Sequence, residues 1–565
     1  MDTIYQSTNS QADRESPSAR HRHAEILGIA KRFDFWRGSV RKFAQAIGEP
    51  ESTVRLCLHS HHQRCQDSKF PRVLVEFFDS PQGIDFLRDI MIALHLVFAE
   101  ENDCGLRNIG RFLQLSGLDE FVSASYGAQQ NFASQLETAI AEFGRREDQR
   151  LAANMPAREI TVCEDETFHP QICLVAIEPV SNFLLLQQYA ERRDCETWNQ
   201  TLGEQITTMA VTVVQVTSDQ ASALLKHTTE HLGAHHSPDL FHVQHETVQA
   251  TNFALAGQTR RANETLAKSH VWVVECQQVL DACAQQCPES IESIASLRQQ
   301  LAAAQNAEVL SQEKVSQCQD RQQRASTARL GISHDYHPID IESGQAVDAD
   351  EVGRRLNVRF DELDKIAQEA GLPVAAKEKL AKARRVLPSM HSTILFFWTT
   401  VFGRLALLNL PDEINAWLRE QMIPGLYLQS AASKASTAAL RKELSERAET
   451  ILARARSPDG VCGRLDDPQR KRLEQQAQAC ADLFQRSSSC VEGYNGQLSL
   501  RHHGLHQLTI RKLAALRVLH NYMVERPDGT TAAERFFGQR PQSLLNWLHA
   551  KLSLPGRPRQ PRQTV

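Results

Sequence analysis

One stretch constrains the fold more than any other. Between residues 160 and 243, β-branched and apolar runs alternate with helical spacing, inside a chain that elsewhere reads almost entirely as helix. Residues 160–168 form a β-like run, 171–177 a second that ends before Pro179, and 182–189 a third. Helical spacing follows over 194–207. Residues 211–216 are β-branched and apolar enough for a buried fourth strand. Residues 221–232 read as helix and 240–243 as a short fifth strand. The order is β-β-β-α-β-α-β. Strands joined by short turns predict an antiparallel meander, and strands separated by helices predict parallel additions to it. The expected architecture is therefore α/β, a mixed five-stranded sheet, within a predominantly helical chain.

The 565 residues suffice for several domains. Residues 1–24 are polar, lack the apolar segment of a secretory signal and read as a disordered N-terminus. Residues 25–75 read as a compact helical unit, 76–150 as a helical region with a polar linker, and 159–250 as the first part of the α/β domain. Residues 251–465 form an all-α insertion. Within it, 273–325 is rich in Gln, Ala, Glu and Leu and resembles a coiled-coil arm broken at Pro288. Residues 466–550 return to helices, and 551–565 read as a basic disordered tail. The most apolar run, 392–410, is interrupted by Arg404 and falls short of spanning length, which favours a core helix and argues against membrane contact. Thirteen cysteines in irregular spacing, without a Cys-x-x-Cys pair, fit a reduced cytoplasmic protein.

Net charge separates the two ends of the argument. The chain carries 63 Lys and Arg against 68 Asp and Glu, so any nucleic-acid contact must use local patches. Residues 1–75 hold 12 basic against 8 acidic side chains. There, Val40, Phe43, Ala44 and Ile47 line one helix face and Gly48 supplies a left-handed stop. Ser52 or Thr53 can begin a second helix, with Val54, Leu56 and Leu58 as packing residues. This is a helix-turn-helix pattern, and it offers Ser52, Thr53 and Arg55 to a major groove with Arg41 and Lys42 alongside. A plain helical hairpin is the alternative reading of the same residues.

Three acidic residues sit in chemically suggestive places. Asp165 lies in the first strand, Asp219 just past the fourth, and Glu492 near a helix start. If strands one and four are neighbours, their carboxylates leave the same edge of the sheet. Such a set can hold two divalent metals that stabilise attacking and leaving oxygens in phosphodiester chemistry. Glu164 and Glu166 alternate to the opposite face from Asp165.

The ordered combination resembles the DDE transposases of bacterial insertion sequences. Their ribonuclease-H-like core places the first Asp on strand one, the second after strand four and the last acidic residue on a later helix. Roughly 275 mostly helical residues separate Asp219 from Glu492, which resembles the helical insertion of several transposase families. Pro238-Asp-Leu-Phe-His242 resembles an Asp/Cys-x2-His signature, occupied by Asp239 and His242. Glu492-Gly-Tyr-Asn495, followed by Arg501 and Gly504, resembles an E-G-x-N…R…G ending. The resemblance implies metal-dependent DNA cleavage and strand transfer at element ends by Asp165, Asp219 and Glu492. These would hold Mg²⁺, with Mn²⁺ as a substitute, and Asp239, His242 and Asn495 would support them. It also implies double-stranded DNA as partner, a homodimer or higher multimer on paired ends, and a nucleoid-associated bacterial protein. Asp239 is the main competitor to Asp219. Arg501, His502, His503, His506, Arg511 and Lys512 form a basic stretch suited to phosphate contacts.

Other readings compete with this one. A transposase-derived DNA-binding regulator would keep the helix-turn-helix and dispense with the carboxylates. A zinc site could use His227, His231 and His235, at i, i+4 and i+8, with His236, His242 and His245 nearby. A helical scaffold could assemble through the arm.

Overall fold

The computed structural model describes residues 17–557, apart from 169–170, 287–288, 290 and 506–507. The chain divides into two compact units. One comprises Met1–Met155, Gln187–Tyr189 and Gln497–Val565, and the other Pro156–Leu186 and Ala190–Gly496.

The first unit opens with helices α1 (Pro17–Asp34), α2 (Val40–Ile47) and α3 (Glu51–Asp67). Helix α1 starts inside the segment expected to be unstructured, while residues 1–16 lie outside the described residues. Ser39 caps α2, and Gly48 ends it at φ 75°, the left-handed conformation that glycine adopts without a Cβ penalty. Phe43, Ala44 and Val54 close a small core with Ile29, flanked by Phe33, Val40, Ile47 and Leu58. Two expectations need correction. Helix α3 begins at Glu51 behind Pro50, so Ser52 and Thr53 fall within its first turn. Proline suits such a helix start because the first turn's N–H groups have no intrahelical acceptor. Leu56 is exposed, two residues beyond the buried Val54, a separation that turns it to the far side of the helix. Later in this unit, residues near the C-terminus pack instead of trailing away. The Arg557 guanidinium bonds Asp79, and the Ser123 N–H donates to the Gly556 carbonyl. Residues 558–565 of the expected tail are outside the described residues.

The second unit is built around the sheet. Its strands are β1 (Arg158–Phe168), β2 (Ile172–Glu178), β3 (Phe183–Ala190), β4 (Val211–Ser218) and β5 (His235–Pro238), in the spatial order β3-β2-β1-β4-β5. β1 pairs antiparallel with β2, with Asp165 opposite Val175. It pairs parallel with β4, and β4 pairs parallel with β5. The central strand thus carries the change from antiparallel to parallel pairing. Its residues 160–163 are buried, as a strand covered on both faces requires.

The fifth strand is not where alternation placed it. His235-His-Ser-Pro238 pairs with β4, and residues 240–243 enter the first turn of α4 (Leu240–Gln286). Two local causes act here. Pro238 ends the strand, and the Asp239 carboxylate accepts the Phe241 N–H at 2.9 Å, an N-cap bond that starts the helix. The expected 221–232 helix also divides, into Ser222–Lys226 and a π-helical turn His227–His231.

Helix α4 and α5 (Ile291–Asp335) form the hairpin expected from the Gln/Ala-rich stretch. The expected break at Pro288 lies outside the described residues. Near the hairpin's base, Leu240, Val243, Ala250 and Leu255 join Ala325, Ala328 and Ile332 in the main helical core. The apolar 392–410 run is realised as Leu387–Leu407, whose Ile394, Phe397 and Val401 are fully buried. No helix among the described residues is long and apolar enough to cross a membrane. The helix that follows the insertion, α6 (Ser489–Leu505), brings Glu492 back to the sheet.

Candidate active site

The sheet grips the segment before α6 at several points. The Gln215 side chain on β4 donates to the Gln485 carbonyl at 2.8 Å, and the Thr217 hydroxyl donates to the same carbonyl at 3.4 Å. The Leu240 N–H donates to the Arg486 carbonyl at 2.9 Å. Cys163 on β1 donates to the Ser487 carbonyl at 3.8 Å. The strongest tie is Asp239. Buried at the start of α4, it accepts the Ser488 N–H at 3.0 Å through one oxygen and the Ser488 hydroxyl at 2.7 Å through the other. One carboxylate therefore caps α4 and anchors the residue just ahead of α6. Two helix N-termini converge there, each with its positive dipole end toward the acidic residues.

This anchoring brings the expected residues together. Asn495, one turn beyond Glu492, donates its amide to Asp165 Oδ2 at 2.7 Å. Burial and the neighbouring Glu492 carboxylate push the Asp165 carboxyl up to about 7, against the bonds from the Glu166 backbone and Asn495. Burial likewise raises Glu492, with Asp239 and Asp219 adding negative charge and His242 and His245 opposing them. Asp219, directly after β4, accepts the Ala221 N–H at 2.9 Å. His242 Nε2 stands 3.7 Å from Asp239 Oδ2 and 3.6 Å from Glu492 Oε1. Asp165, Asp219, Asp239 and Glu492 thus share one region of negative potential with two histidines at its side.

The convergence differs in detail from the expected triad. Among the described residues, the group whose ligand atoms all lie within 4.8 Å of one another is Asp239, His242 and Glu492. Asp165 and Asp219 couple to Glu492 electrostatically without belonging to that group. Yet Asp239 already accepts three hydrogen bonds from the protein, which fits a residue that positions others. The donor chemistry suits a hard divalent cation, because carboxylate oxygens dominate and, among the described residues, Asp239 and Glu492 face His242 and not a Lys or Arg.

The remaining residues separate clearly. Glu164 and Glu166 turn away from the cluster as alternation requires. Glu166 accepts from Trp198 at 3.2 Å, and Glu164 lies 3.5 Å from His227, both fully buried. The histidines of the zinc reading do not converge. His235 stacks on Phe396 at 4.4 Å, and His236 meets the Ser218 hydroxyl at 3.1 Å. In the first unit, Arg41, Lys42, Ser52, Thr53 and Arg55 are exposed, with Arg55 bonded to Glu51 one turn earlier.

The basic stretch after Glu492 divides: His502 and Lys512 are buried, which corrects their expected role in phosphate contact, Arg501 is half-buried, and His503 and Arg511 are exposed. Lys512 is buried, 2.8 Å from the Glu100 carboxylate and 2.6 Å from the Ala99 carbonyl. Arg501 donates to the Glu100 carbonyl at 2.5 Å and the Glu101 carbonyl at 3.0 Å, and it pairs with Asp103. His502 is buried beside Tyr189. Arg511 pairs with Glu137 at 3.2 Å, and His503 is exposed. His506 is outside the described residues.

The Asp239–Ser488 tie and the Gln215 bond to Gln485 escaped sequence reading. No local pattern signals a contact between residues some 250 positions apart. A family model described as a family of unknown function, DUF6399, matches residues 418–564, a span that includes Glu492 and Asn495. No curated protein and no solved structure matches the chain.

Proposed function

We propose that the sheet-bearing unit is a ribonuclease-H-like nuclease core of the DDE type, and that the chain is a transposase cutting and joining DNA in the bacterial cytoplasm. One observation carries this reading. The strand order β3-β2-β1-β4-β5 puts Asp165 on the central strand and Asp219 at the end of its parallel neighbour, while a helix returning after a long insertion sets Glu492 beside them.

Asp165, Asp219 and Glu492 would hold the divalent cation, Mg²⁺ or Mn²⁺. The cation would supply Lewis-acid activation of water and charge stabilisation of the leaving oxygen. The chain's own groups do the rest. Asn495 fixes the rotamer of Asp165 through its amide. Asp239 sets the distance between α4 and α6, and with it the place of Glu492. His242, between two carboxylates, is placed to hold a proton or a phosphate oxygen at the edge of the cluster. The exposed face of α3 offers Ser52, Thr53 and Arg55 for base contacts.

The test is strand cleavage by the purified full-length protein on DNA carrying the sequences that flank its gene, with Mg²⁺ or Mn²⁺. Nicking that disappears in Asp165→Ala supports the proposal. Binding without nicking in either protein favours a DNA-bound regulator, and neither binding nor nicking contradicts the DNA reading on those sequences.

A further inference from the structure

We propose that the outer half of the α4–α5 hairpin is a self-association surface, on which a second copy of this chain lays its own hairpin antiparallel. The seam between the two helices follows a seven-residue repeat. In α4 it runs through Leu266, Val273 and Leu280, with Ser269, Cys276 and Cys283 between them. In α5 it runs through Leu301 and Val315, with Leu297, Ala304 and Ser311. The Ser269 and Ser311 hydroxyls meet across it at 3.0 Å. Ala262, Val315 and Cys318 form a small buried cluster against Leu266. Outward of that cluster little is covered. Among the described residues, α4 has no buried side chain beyond Ala262, and α5 has only Ala304 outward of Val315.

The seam leaves apolar side chains on one flank. Trp272 and Val279 each precede a seam residue of α4, and Ala303 and Leu310 each precede one of α5, which puts all four on the same side of an antiparallel pair. Trp272 is 44% exposed, Val279 53% and Leu310 66%. At the inner end of this flank Leu310 joins Arg261, Thr265 and Lys314 in a cleft of about 780 Å³ that residues 368–371 also line. Area and charge fit a second copy. From Ala262 to Gln286 the flank is about 36 Å long, and two helices side by side make it about 20 Å wide. Pairing two such flanks covers on the order of 1,400 Å² in total, which is the size of a stable interface. Arg261, Lys268 and Lys314 are exposed toward the inner end, and Asp281, Glu289 and Glu292 toward the outer end. An antiparallel copy sets each basic end beside the partner's acidic end and brings Trp272 over the partner's Val279, the same patch serving both copies. The acidic outer end repels a phosphate backbone, so duplex DNA fits this flank less well.

This surface does not rest on the proposed function, and the dimer it forms needs no DNA. The experiment is sedimentation of the full-length protein over a wide range of concentration, without DNA and with dithiothreitol present. The wild type is expected to dimerise. Trp272→Glu is expected to weaken the dimer about 30-fold or more, as loss of a central aromatic anchor does. Val274→Glu, an exposed position on the opposite flank of α4, is expected to leave it unchanged. Lys268→Glu with Lys314→Glu should weaken it, and adding Glu289→Lys with Glu292→Lys should restore it. Circular dichroism follows the helix content of each variant. If Trp272→Glu lowers that content, the charge variants decide, with rescue supporting the surface and absence of rescue overturning it. A wild-type monomer at every concentration, a dimer that appears only with DNA, or equal weakening by Trp272→Glu and Val274→Glu would each overturn it, as would a dimer that tolerates Trp272→Glu. Strand nicking is scored separately, so the transposase reading can fail while this surface stands.

Discussion

Glu100 and Asp165 are both acids taken out of water, and the protein treats them in opposite ways. Glu100, in the first unit, faces the Lys512 ammonium at 2.8 Å, itself buried and bonded to the Ala99 carbonyl. Asp148 in the same unit has Arg517 at 2.7 Å and the Tyr522 hydroxyl at 2.5 Å. Asp165, in the second unit, has an amide for a partner and another carboxylate for a neighbour. Burial raises both Glu100 and Asp165 from the usual carboxylate range. Like charge adds to the rise of both, Glu137 for Glu100 and Glu492 for Asp165, but at Glu100 it ranks behind the opposing Lys512 ammonium, whereas at Asp165 it ranks second only to burial.

The contrast can be broken from the Lys512 side. Lys512→Met leaves Glu100 buried without its cation and is expected to cost about 3–5 kcal/mol in chemical denaturation, with little effect on Mn²⁺ affinity. A cost below about 1 kcal/mol would mean that the two acids are not so different.

Asp165 sharpens the same contrast through pH. Its native carboxyl holds a proton up to about 7, whereas an unfolded aspartate releases it near 3.9. Between those values unfolding releases a proton, so rising pH favours the unfolded state. Metal-free protein should therefore lose stability between pH 4 and pH 7, by at most about 4 kcal/mol. Asp165→Asn should flatten that slope and stabilise the metal-free protein above pH 7. Urea denaturation at several pH values reads this directly, and a slope identical in the variant would remove Asp165 as its source.

Supporting residues should matter less. Asn495→Ala frees Asp165 from its amide and is expected to lower metal-dependent nicking about 10–100-fold while leaving DNA binding intact. Equal loss of both would make Asn495 a folding residue. The smallest effect belongs to α3. Thr53→Ala, on its exposed face, should change stability by less than about 0.5 kcal/mol and weaken duplex binding in a titration. Unchanged binding would remove that face from the DNA contact.

Much of the sheet was legible because period-two alternation and β-branched runs mark β1 to β4. The fifth strand was not, since His235-His-Ser-Pro238 carries no apolar signature and is held by backbone pairing to β4 together with polar and stacking contacts of its histidines. Order along the chain singled out Asp165, Asp219 and Glu492, whereas the group whose ligand atoms converge among the described residues is Asp239, His242 and Glu492. The positioning role of Asp239 could not be read from that order, because it depends on Ser488, far along the chain. The basic stretch misled for a related reason. A run of Arg, His and Lys states charge but not burial, and the partner of Lys512 lies in the N-terminal half. Leu56 shows the same limit at short range, where an apolar residue sits on the outer face of its helix.

The most direct test of an acid cluster built for a cation is thermal unfolding of the full-length protein at pH 8 and pH 5.5, with and without Mn²⁺, beside Glu492→Gln. The account predicts that Mn²⁺ raises the melting temperature at pH 8, does so far less at pH 5.5 where Asp165 keeps its proton, and does neither in Glu492→Gln. A Mn²⁺ effect that is absent, or equal in wild type and Glu492→Gln at both pH values, would contradict it.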